Sequence, residues 1–284
     1  MRIYEDPYLL QQQALAWRQA SEEIGLVPTM GALHAGHESL VSRARRENAR
    51  VIVSIFVNPL QFGPHEDFAR YPRPFDQDSQ RLSALQVDAL FHPSVDQLFP
   101  PSFKSAVDPG PLGDLLEGHA RPGHFRGVLT AVLKLFELAQ PKRAYFGQKD
   151  IQQLLLVRQL TRDFALPVHV VACPTVREPD GLALSSRNVY LTAEQRQQAP
   201  VIFSALRVAE AAFRTGERDP ERLEELARDL MAAAPGLGVD YIACFDEIGL
   251  QRPARATAGN ILATAAKLGS TRLIDNVVLG AGSD

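Results

Sequence analysis

The sequence contains very little cysteine. Cys173 and Cys244 are the only two cysteines among its 284 residues, and they do not form a C-x-x-C pair. Zinc sites and disulfide frameworks need clustered cysteines, so we expect neither. Two small apolar side chains, buried in a protein of a reducing compartment, are the simpler interpretation.

The sequence also lacks long apolar runs and an excess of basic charge. No apolar stretch approaches the roughly 20 residues of a membrane-spanning helix, and the N-terminus has no apolar core of the kind found in secretory signals. The formal net charge is −3, whereas proteins that coat nucleic acids usually carry a basic excess. We therefore expect a cytoplasmic protein that binds small molecules rather than nucleic acid or a membrane.

Strand-like and helix-like patterns alternate over residues 1–175. The run Val51–Val57 is β-branched and apolar, as in a central parallel strand that is covered on both faces. Alternation of this kind predicts right-handed βαβ crossovers in a Rossmann-like α/β fold, a doubly wound parallel sheet. The other predicted strands are Ile24–Pro28, Asp88–Phe91, Ala144–Phe146 and Val168–Ala172. The predicted helices are Gly36–Asn48, Phe75–Leu85, Gly127–Ala139 and Asp150–Phe164.

The pattern changes near Pro174–Val176, where we place a domain boundary. A loop-like segment, Arg177–Asn188, is followed by two helical patterns and then three strand-like ones. This order predicts a smaller α+β domain over 176–284 that covers a site on the catalytic domain, 1–175. Its predicted helices are Thr192–Thr215, with a capping box at its start, and Pro220–Ala234. Its predicted strands are Val239–Ile248, Asn260–Leu268 and Thr271–Leu279.

The most informative stretch runs from Pro28 to His37, where a strand end, a glycine-bearing turn and a helix start follow one another. Gly31 and Gly36 lack a Cβ, so backbone N–H groups there could approach an anion closely. The helix dipole points its positive end at the same place. His34 and His37 add two side-chain donors, suited to the charge that builds at the α-phosphate of ATP during cleavage.

Three further segments carry polar residues at predicted strand ends or at the domain boundary. Asn58 and Gln61 follow one strand and could read hydroxyls and carboxylates. The run from Gly147 to Asp150 follows another strand and contains a cation, Lys149. Ser185, Ser186 and Arg187 could grip outer phosphates. Each segment alone fits an ordinary turn, cap or linker equally well.

Together these segments resemble one family, the pantothenate synthetases or pantoate–β-alanine ligases. The blocks that carry the resemblance are Pro-Thr-Met-Gly-Ala-Leu-His-x-Gly-His, Phe-Val-Asn-Pro-x-Gln-Phe, Arg-Pro-Gly-His-Phe, Phe-Gly-Gln-Lys-Asp and Gly-Leu-Ala-Leu-Ser-Ser-Arg-Asn. They occur in order between about residues 25 and 191. Leu184 stands where the family often has methionine, a change that conserves volume. The run Arg121–Phe125 matches the family, and packing or gate support is the default interpretation.

The resemblance implies an ATP-dependent ligase that makes pantothenate from pantoate and β-alanine through a pantoyl adenylate, and it implies a homodimer. His37, His34 and Lys149 would act on the phosphates, and Gln61, Gln153 and Asn58 would bind pantoate. The ATP site would comprise Met30, Gly31, Ala32, Leu33, His34, Ala35, Gly36 and His37. It would also include Gly147, Gln148, Lys149 and Asp150, and then Val176, Leu184, Ser185, Ser186 and Arg187.

Mg²⁺ is expected on the outer phosphates of ATP, and Asp78 and Asp150 are candidate carboxylates for it. Two other functions remain open at this point. One is an adenylyltransferase of the same superfamily, which would leave the adenylyl group on its product. The other is a nucleotide sensor without catalysis, which would not need the paired histidines.

Overall fold

A computed structural model describes residues 1–64 and 66–281, which fall into two compact units. The first unit comprises Met1–Gln148 and Gln152–Pro174. The second comprises the chain from Thr175 onward together with Lys149–Ile151.

The first unit is built on a six-stranded sheet in the order β1-β4-β3-β2-β5-β6, in which all neighbouring strands are parallel. This arrangement confirms the Rossmann-like fold class. The inner strand β3 is covered on both faces: Val51 and Val53 pack against one layer, and Ile52 between them is equally inaccessible. The strands are β1 (Arg2–Tyr4), β2 (Ile24–Thr29), β3 (Arg50–Ile55), β4 (Ala89–Phe91), β5 (Arg143–Gly147) and β6 (His169–Cys173).

Helices connect these strands. They are α1 (Pro7–Gln19), α2 (Ala35–Glu47), α3 (Phe75–Ala84), α4 (Val95–Leu98), α5 (Glu117–Ala120), α6 (His124–Ala139) and α7 (Ile151–Asp163). Strand β1 and helix α1 were not predicted, although Asp6 caps α1 by accepting the backbone N–H groups of Tyr8 and Leu9. Strand β1 is only three residues long, and α1 carries apolar side chains on its exposed face as well as its buried one, which removes the usual amphipathic signal.

The strand order places a topological switch point beside β2. The chain passes from β2 to β3 and β4 on one side, and then crosses to β5 and β6 on the other side of β2. In open parallel sheets, ligands bind at the carboxyl ends of the strands that flank such a point. The turn after β2 and the end of β5 therefore mark the expected crevice.

Among the residues that the structure describes, the second unit contains three α-helices after residue 175 and an antiparallel sheet in the order β7-β8-β9. The helices are α8 (Ala193–Gln198), α9 (Val201–Arg214) and α10 (Pro220–Ala232), and the strands are β7 (Leu237–Phe245), β8 (Ile261–Leu268) and β9 (Thr271–Val278). Leu206 and Phe213 of α9 share an apolar core with Leu262 of β8.

The single helix predicted over Thr192–Thr215 is wrong, because the chain forms α8 and α9 there. Pro200 lies between the two helices, and a proline has no backbone N–H with which to continue the helical hydrogen bonding. The capping box at Thr192 is confirmed. The backbone N–H of Gln195 donates to Thr192 Oγ1 at 3.3 Å, and that of Thr192 donates to Gln195 Oε1 at 3.0 Å. Within residues 1–64 and 66–281, every helix is too short or too polar to cross a membrane.

Candidate active site

The turn after β2 is held by hydrogen bonds from its own backbone. Gly31 and Ala32 both have left-handed backbone angles, with φ of +85° and +51°. Thr29 Oγ1 accepts the Gly31 N–H at 3.2 Å. The two carboxylate oxygens of Asp78, on α3, accept the N–H groups of Ala32 and Leu33, each at 2.8 Å. A side chain at position 31 would crowd Asp78, since a Cβ there would lie 3.1 Å from Oδ2.

Asp78 is almost fully buried, with 1% of its surface exposed. Burial raises the pKa of its carboxyl, and the two backbone donors partly oppose that rise. Because both oxygens are bound to the turn, the carboxylate acts as an internal clamp. This geometry does not fit the Mg²⁺ contact suggested for Asp78.

The two histidines close the turn onto α2. His34 is the N-cap residue, and its Nδ1 accepts the Gly36 N–H at 3.1 Å. His37 Nδ1 in turn accepts the His34 N–H at 3.4 Å. An imidazole that accepts at Nδ1 must carry its proton on Nε2 when neutral. The rings lie 4.1 Å apart between centroids, so two Nε2–H donors belong to one small region at a helix N-terminus.

This bonding corrects one expectation from the sequence. The turn was predicted to offer its backbone N–H groups to an anion. In the structure, the N–H groups of Gly31, Ala32, Leu33, His34 and Gly36 bond to side chains of the protein itself. If this segment binds an anion, the imidazoles and the helix dipole would have to recognise it rather than those amides.

The segment after β3 orients an amide side chain toward the same turn. Asn58 is buried, with 2% of its surface exposed. Its Nδ2 donates to Gln61 Oε1 and to the Gly127 carbonyl, each at 3.0 Å. Gln61 Nε2 then donates to Met30 Sδ at 3.3 Å. The burial of Asn58 does not fit the direct substrate contact predicted for it, and we assign it to orienting Gln61.

Gly127, at the start of α6, allows this segment to approach closely. A Cβ at this position would lie 2.1 Å from the Leu60 carbonyl oxygen and 2.6 Å from the Gln61 nitrogen. Any larger residue would have to displace the backbone next to Gln61. The sequence does not reveal this requirement, because the contact joins residues far apart in the chain.

The run Arg121–Phe125, to which the sequence assigned no definite role, holds the backbone of Gln61. The buried His124 forms a 2.8 Å hydrogen bond from Nδ1 to the Gln61 carbonyl oxygen, and its Nε2 lies 3.1 Å from an Arg121 nitrogen. Burial, reinforced by the charge of Arg121, lowers the pKa of His124 to about 4. Arg121 also pairs with Glu66, at 2.6 and 2.8 Å. The run Arg121–Phe125 therefore has a structural role, as the packing interpretation predicted, and that role is to hold Gln61 in place.

Two adjacent glutamines at the start of α7 differ in their environments. Gln152 is buried and holds the segment before α5: its Nε2 donates to the carbonyls of Leu112 and Leu115, and its Oε1 accepts the Glu117 N–H. Gln153 is half-buried. Gln152 is therefore structural, and Gln153 remains the candidate for ligand recognition.

Strand β5 ends at Gly147, and Gln148–Asp150 form a single 3₁₀ turn before α7. A Cβ at Gly147 would have no described protein atom within 4 Å. Packing against the described residues therefore does not require glycine at this position. Lys149 and Asp150 belong to the second unit. Their side chains lie 3.7 Å apart between Nζ and Oδ1.

The predicted loop at the start of the second unit has defined structure. Residues 176–184 form a tight loop, closed by a hydrogen bond from the Leu184 N–H to the Val176 carbonyl at 3.0 Å. Ser185 then caps a 3₁₀ helix, Ser186–Tyr190, by accepting the Arg187 N–H at 3.2 Å. The serines and the arginine thus lie on one short turn.

Within residues 1–64 and 66–281, no group of three or more His, Cys, Asp or Glu side chains could hold a metal ion. The carboxylate of Asp78, with both oxygens bonded to the turn, fits this observation. A divalent ion at this site would have to obtain most of its ligands from the phosphates of a nucleotide or from water.

Comparison with known proteins gives a consistent result over the whole chain. The family described as pantoate-beta-alanine ligase matches residues 2–278. A pantothenate synthetase of Thermotoga neapolitana is 48% identical over 280 residues, which cover 99% of this chain and 100% of that protein. The crystal structure of pantothenate synthetase from Thermus thermophilus superposes with a TM-score of 0.93 at 45% identity, over 98% of this chain and 99% of that one.

A second solved structure is that of a pantoate-beta-alanine ligase from Francisella tularensis, in complex with beta-gamma ATP and beta-alanine. It is 37% identical to this chain, with a TM-score of 0.82, and the similarity covers 99% of each chain.

Proposed function

Because the chain belongs to the pantoate–β-alanine ligase family, we infer that it condenses (R)-pantoate with β-alanine at the expense of ATP. A pantoyl adenylate is the intermediate, pyrophosphate leaves in the first step, and AMP leaves in the second. The observation that best supports this chemistry is the pair of imidazoles at the start of α2, each of which accepts a backbone N–H at Nδ1 and so carries its proton on Nε2.

In the first step, a pantoate carboxylate oxygen attacks the α-phosphorus of ATP. The new oxygen–phosphorus bond forms as the bond to the bridging oxygen of the β-phosphate breaks, and the electron pair leaves with pyrophosphate. We assign the Nε2–H groups of His34 and His37 and the ammonium group of Lys149 to the negative charge that develops. Preorganised donors of this kind act mainly on the transition state.

Segments on either side of these three residues are assigned to the nucleotide. Met30–Leu33, Ala35 and Gly36 line the site beside the histidines, and Gly147, Gln148 and Asp150 do so beside Lys149. In the second unit, Val176 is assigned to the adenine, and Leu184, Ser185, Ser186 and Arg187 to the outer phosphates. Mg²⁺ held by the outer phosphates of ATP would lower the charge on the leaving pyrophosphate.

Pantoate recognition is assigned to two neutral amides, Gln61 and Gln153. An amide can donate to a carboxylate and accept from a hydroxyl without adding charge. The side chain of Gln61 is already oriented, since Asn58 donates to its Oε1 and its own Nε2 faces Met30 Sδ. Such preorganisation reduces the entropy lost on binding.

In the second step, the amine of β-alanine attacks the activated carbonyl carbon. The carbon–nitrogen bond forms, the carbon–oxygen bond to the phosphate breaks, and AMP leaves as the amine loses a proton. The protein needs no covalent nucleophile. Its contribution is to position the two substrates and to keep water away from the mixed anhydride.

We also propose a homodimer in the cytoplasm, as the family resemblance implies. Light scattering would test the first part, because a monomer and a dimer of a 31.2 kDa chain differ twofold in mass. Neither proposal is needed for the chemistry above.

The function is tested by incubating the protein with ATP, Mg²⁺, pantoate and β-alanine and identifying every product. We expect pantothenate, AMP and pyrophosphate in equal amounts. An adenylyltransferase would keep the adenylyl group on its product and release no AMP, and a nucleotide sensor would release no pyrophosphate. Formation of ADP and phosphate would indicate an acyl-phosphate route and would contradict the proposal.

A further inference from the structure

Two adjacent residues of β9, Asp275 and Asn276, are polar and almost fully buried, with 4% and 2% of their surfaces exposed. This part of the sequence carries no sharp motif. A charge and an amide buried side by side are costly unless both are bonded. Each of them bonds to one of the two short segments of the second unit to which nucleotide contacts are assigned.

Asp275 is bound to the start of the 176–184 loop. Its two oxygens accept from both terminal nitrogens of Arg177, at 2.6 and 2.9 Å. The guanidinium also donates to the Gly181 carbonyl at 3.1 Å and lies over the Phe203 ring, 3.5 Å from its centroid. A planar guanidinium held in this way by a carboxylate, a carbonyl and a ring has little freedom to turn.

The fixed position of Arg177 constrains the rest of the 176–184 loop. Arg177 is bridged to Ala183 in antiparallel fashion, and the Leu184 N–H donates to the Val176 carbonyl. Leu184 directly precedes Ser185, the cap of the Ser186–Tyr190 turn. The carboxylate of Asp275 therefore sets where the turn with both serines and Arg187 begins.

Asn276 bonds to the other segment. Its Nδ2 donates to the backbone carbonyl of Lys149 at 3.1 Å. Successive side chains of a strand point to opposite faces, so Asp275 shares its face with the core residues Leu273 and Val277, and Asn276 lies on the reverse face. One short piece of β9 thus holds the Arg177 loop on one face and the Lys149 turn on the other.

We propose that Asp275 and Asn276 are positioning residues for the adenylation step, acting through Arg177 and Lys149 and not by touching the substrate. The inference rests on the proposed function, in which Lys149 and Ser185–Arg187 contact ATP. Small displacements of reacting groups are sufficient to slow a reaction by as much as about 100-fold. Loss of either bond should therefore impair the use of ATP and leave pantoate recognition by Gln61 and Gln153 unchanged.

Two isosteric substitutions test this inference, Asp275→Asn and Asn276→Asp. The first removes the negative charge opposite Arg177, and the second puts an acceptor in place of the donor that faces the Lys149 carbonyl. The control is Glu224→Gln in the same unit. Glu224 is equally buried, at 4% exposed, and bonds to the Cys244 N–H and to Arg252, neither of which belongs to either segment.

The readouts are the KM for ATP, the KM for pantoate, the pyrophosphate burst in a single turnover, and the melting temperature. For Asp275→Asn and Asn276→Asp we expect the ATP KM to rise and the burst rate to fall, each by about tenfold, which is within the range for misplaced groups. The pantoate KM should stay within about twofold of the parent value. Asp275→Glu, which keeps the charge, should recover part of the burst rate.

The inference is overturned if the ATP KM and the burst rate of both variants match those of the parent protein. A loss of stability like that of Glu224→Gln, without a change in these two quantities, would indicate a purely structural role. Arg177→Lys supplies a second route if Asp275→Asn does not fold, because it keeps the charge and loses the paired hydrogen bonds. A normal burst in that variant would also overturn it. Failure of the proposed function would be seen separately, since the unsubstituted protein would then form no AMP or pyrophosphate.

Discussion

Asp78 Oδ2 accepts the backbone N–H of Ala32 at 2.8 Å, across 46 residues of sequence, and Ala32 has a left-handed φ of +51°. A residue other than glycine adopts this conformation at a cost in energy. The carboxylate of a neighbouring helix therefore stabilises the backbone turn that leads into His34.

Asp78→Asn should weaken this turn. An asparagine has one acceptor in place of two and points an NH₂ group at a backbone N–H, at a cost of about 2 kcal/mol for the lost bond. We expect a lower free energy of unfolding and a fall in the rate of pyrophosphate release. Asp76→Asn is the matched control, since Asp76 is on the same helix and exposed. Unchanged kinetics in Asp78→Asn would show that the turn does not need the clamp.

His37→Ala should reduce the rate of adenylate formation by roughly 100-fold or more, the scale of losing one preorganised donor. The half-buried ring makes a weak backbone contact at 3.4 Å and lies beside the ring of His34. Because it is not part of the buried core, the variant should still fold. Pyrophosphate release in a single turnover measures the step directly. His169→Ala, at an exposed position on β6, should have no effect. Near-normal release from His37→Ala would remove this residue from the mechanism.

The two adjacent glutamines of α7 should respond differently to the same substitution. Gln153→Ala should raise the pantoate KM much more than the ATP KM. Gln152→Ala should lower the melting temperature, because three hydrogen bonds to the 112–117 segment are lost. A full matrix of KM values and melting curves checks both. An effect of Gln153→Ala on ATP alone would show that this side of α7 is wrongly assigned.

The stability of the protein should depend on pH through His124. Burial lowers its pKa from 6.5 to about 4, so between these values the unfolded chain binds a proton that the folded chain does not. Unfolding is therefore favoured as the pH falls, and the contribution is fully present above pH 6.5. Its size is on the order of 3 kcal/mol by linkage.

Urea unfolding at several pH values tests this expectation. In His124→Gln the loss of stability between pH 6.5 and 4 should be clearly smaller than in the parent protein. His119→Gln is the control, because His119 is exposed and only five residues away. Parallel pH profiles for the parent protein and His124→Gln would mean that the buried imidazole does not contribute.

The sequence predicted those features of the fold that depend on local residue patterns. The strand β3, the helix α2 and the capping box at Thr192 follow from β-branched runs, from the spacing of apolar residues and from cap chemistry. The break at Pro200 was missed although proline marks it, because the apolar spacing continues on both sides.

What could not be predicted depends on contacts between distant segments. Asp78 reaches back to Ala32, and His124 holds the carbonyl of Gln61. Asn58 looked like a ligand-binding residue at a strand end, and only its burial shows that it faces Gln61. Pattern reasoning locates a polar residue near the crevice, but it does not tell whether the side chain faces the ligand or the protein.

The transfer of oxygen from pantoate to AMP tests the central proposal most directly. Pantoate labelled with ¹⁸O in its carboxylate is supplied with ATP, Mg²⁺ and β-alanine, and the mass of the AMP phosphate is measured. Adenylate formation predicts that one label appears in AMP, since the amine attacks carbon and the bridging oxygen stays with phosphorus. AMP that carries no label would contradict the pantoyl adenylate, and with it the roles given to His34, His37 and Lys149.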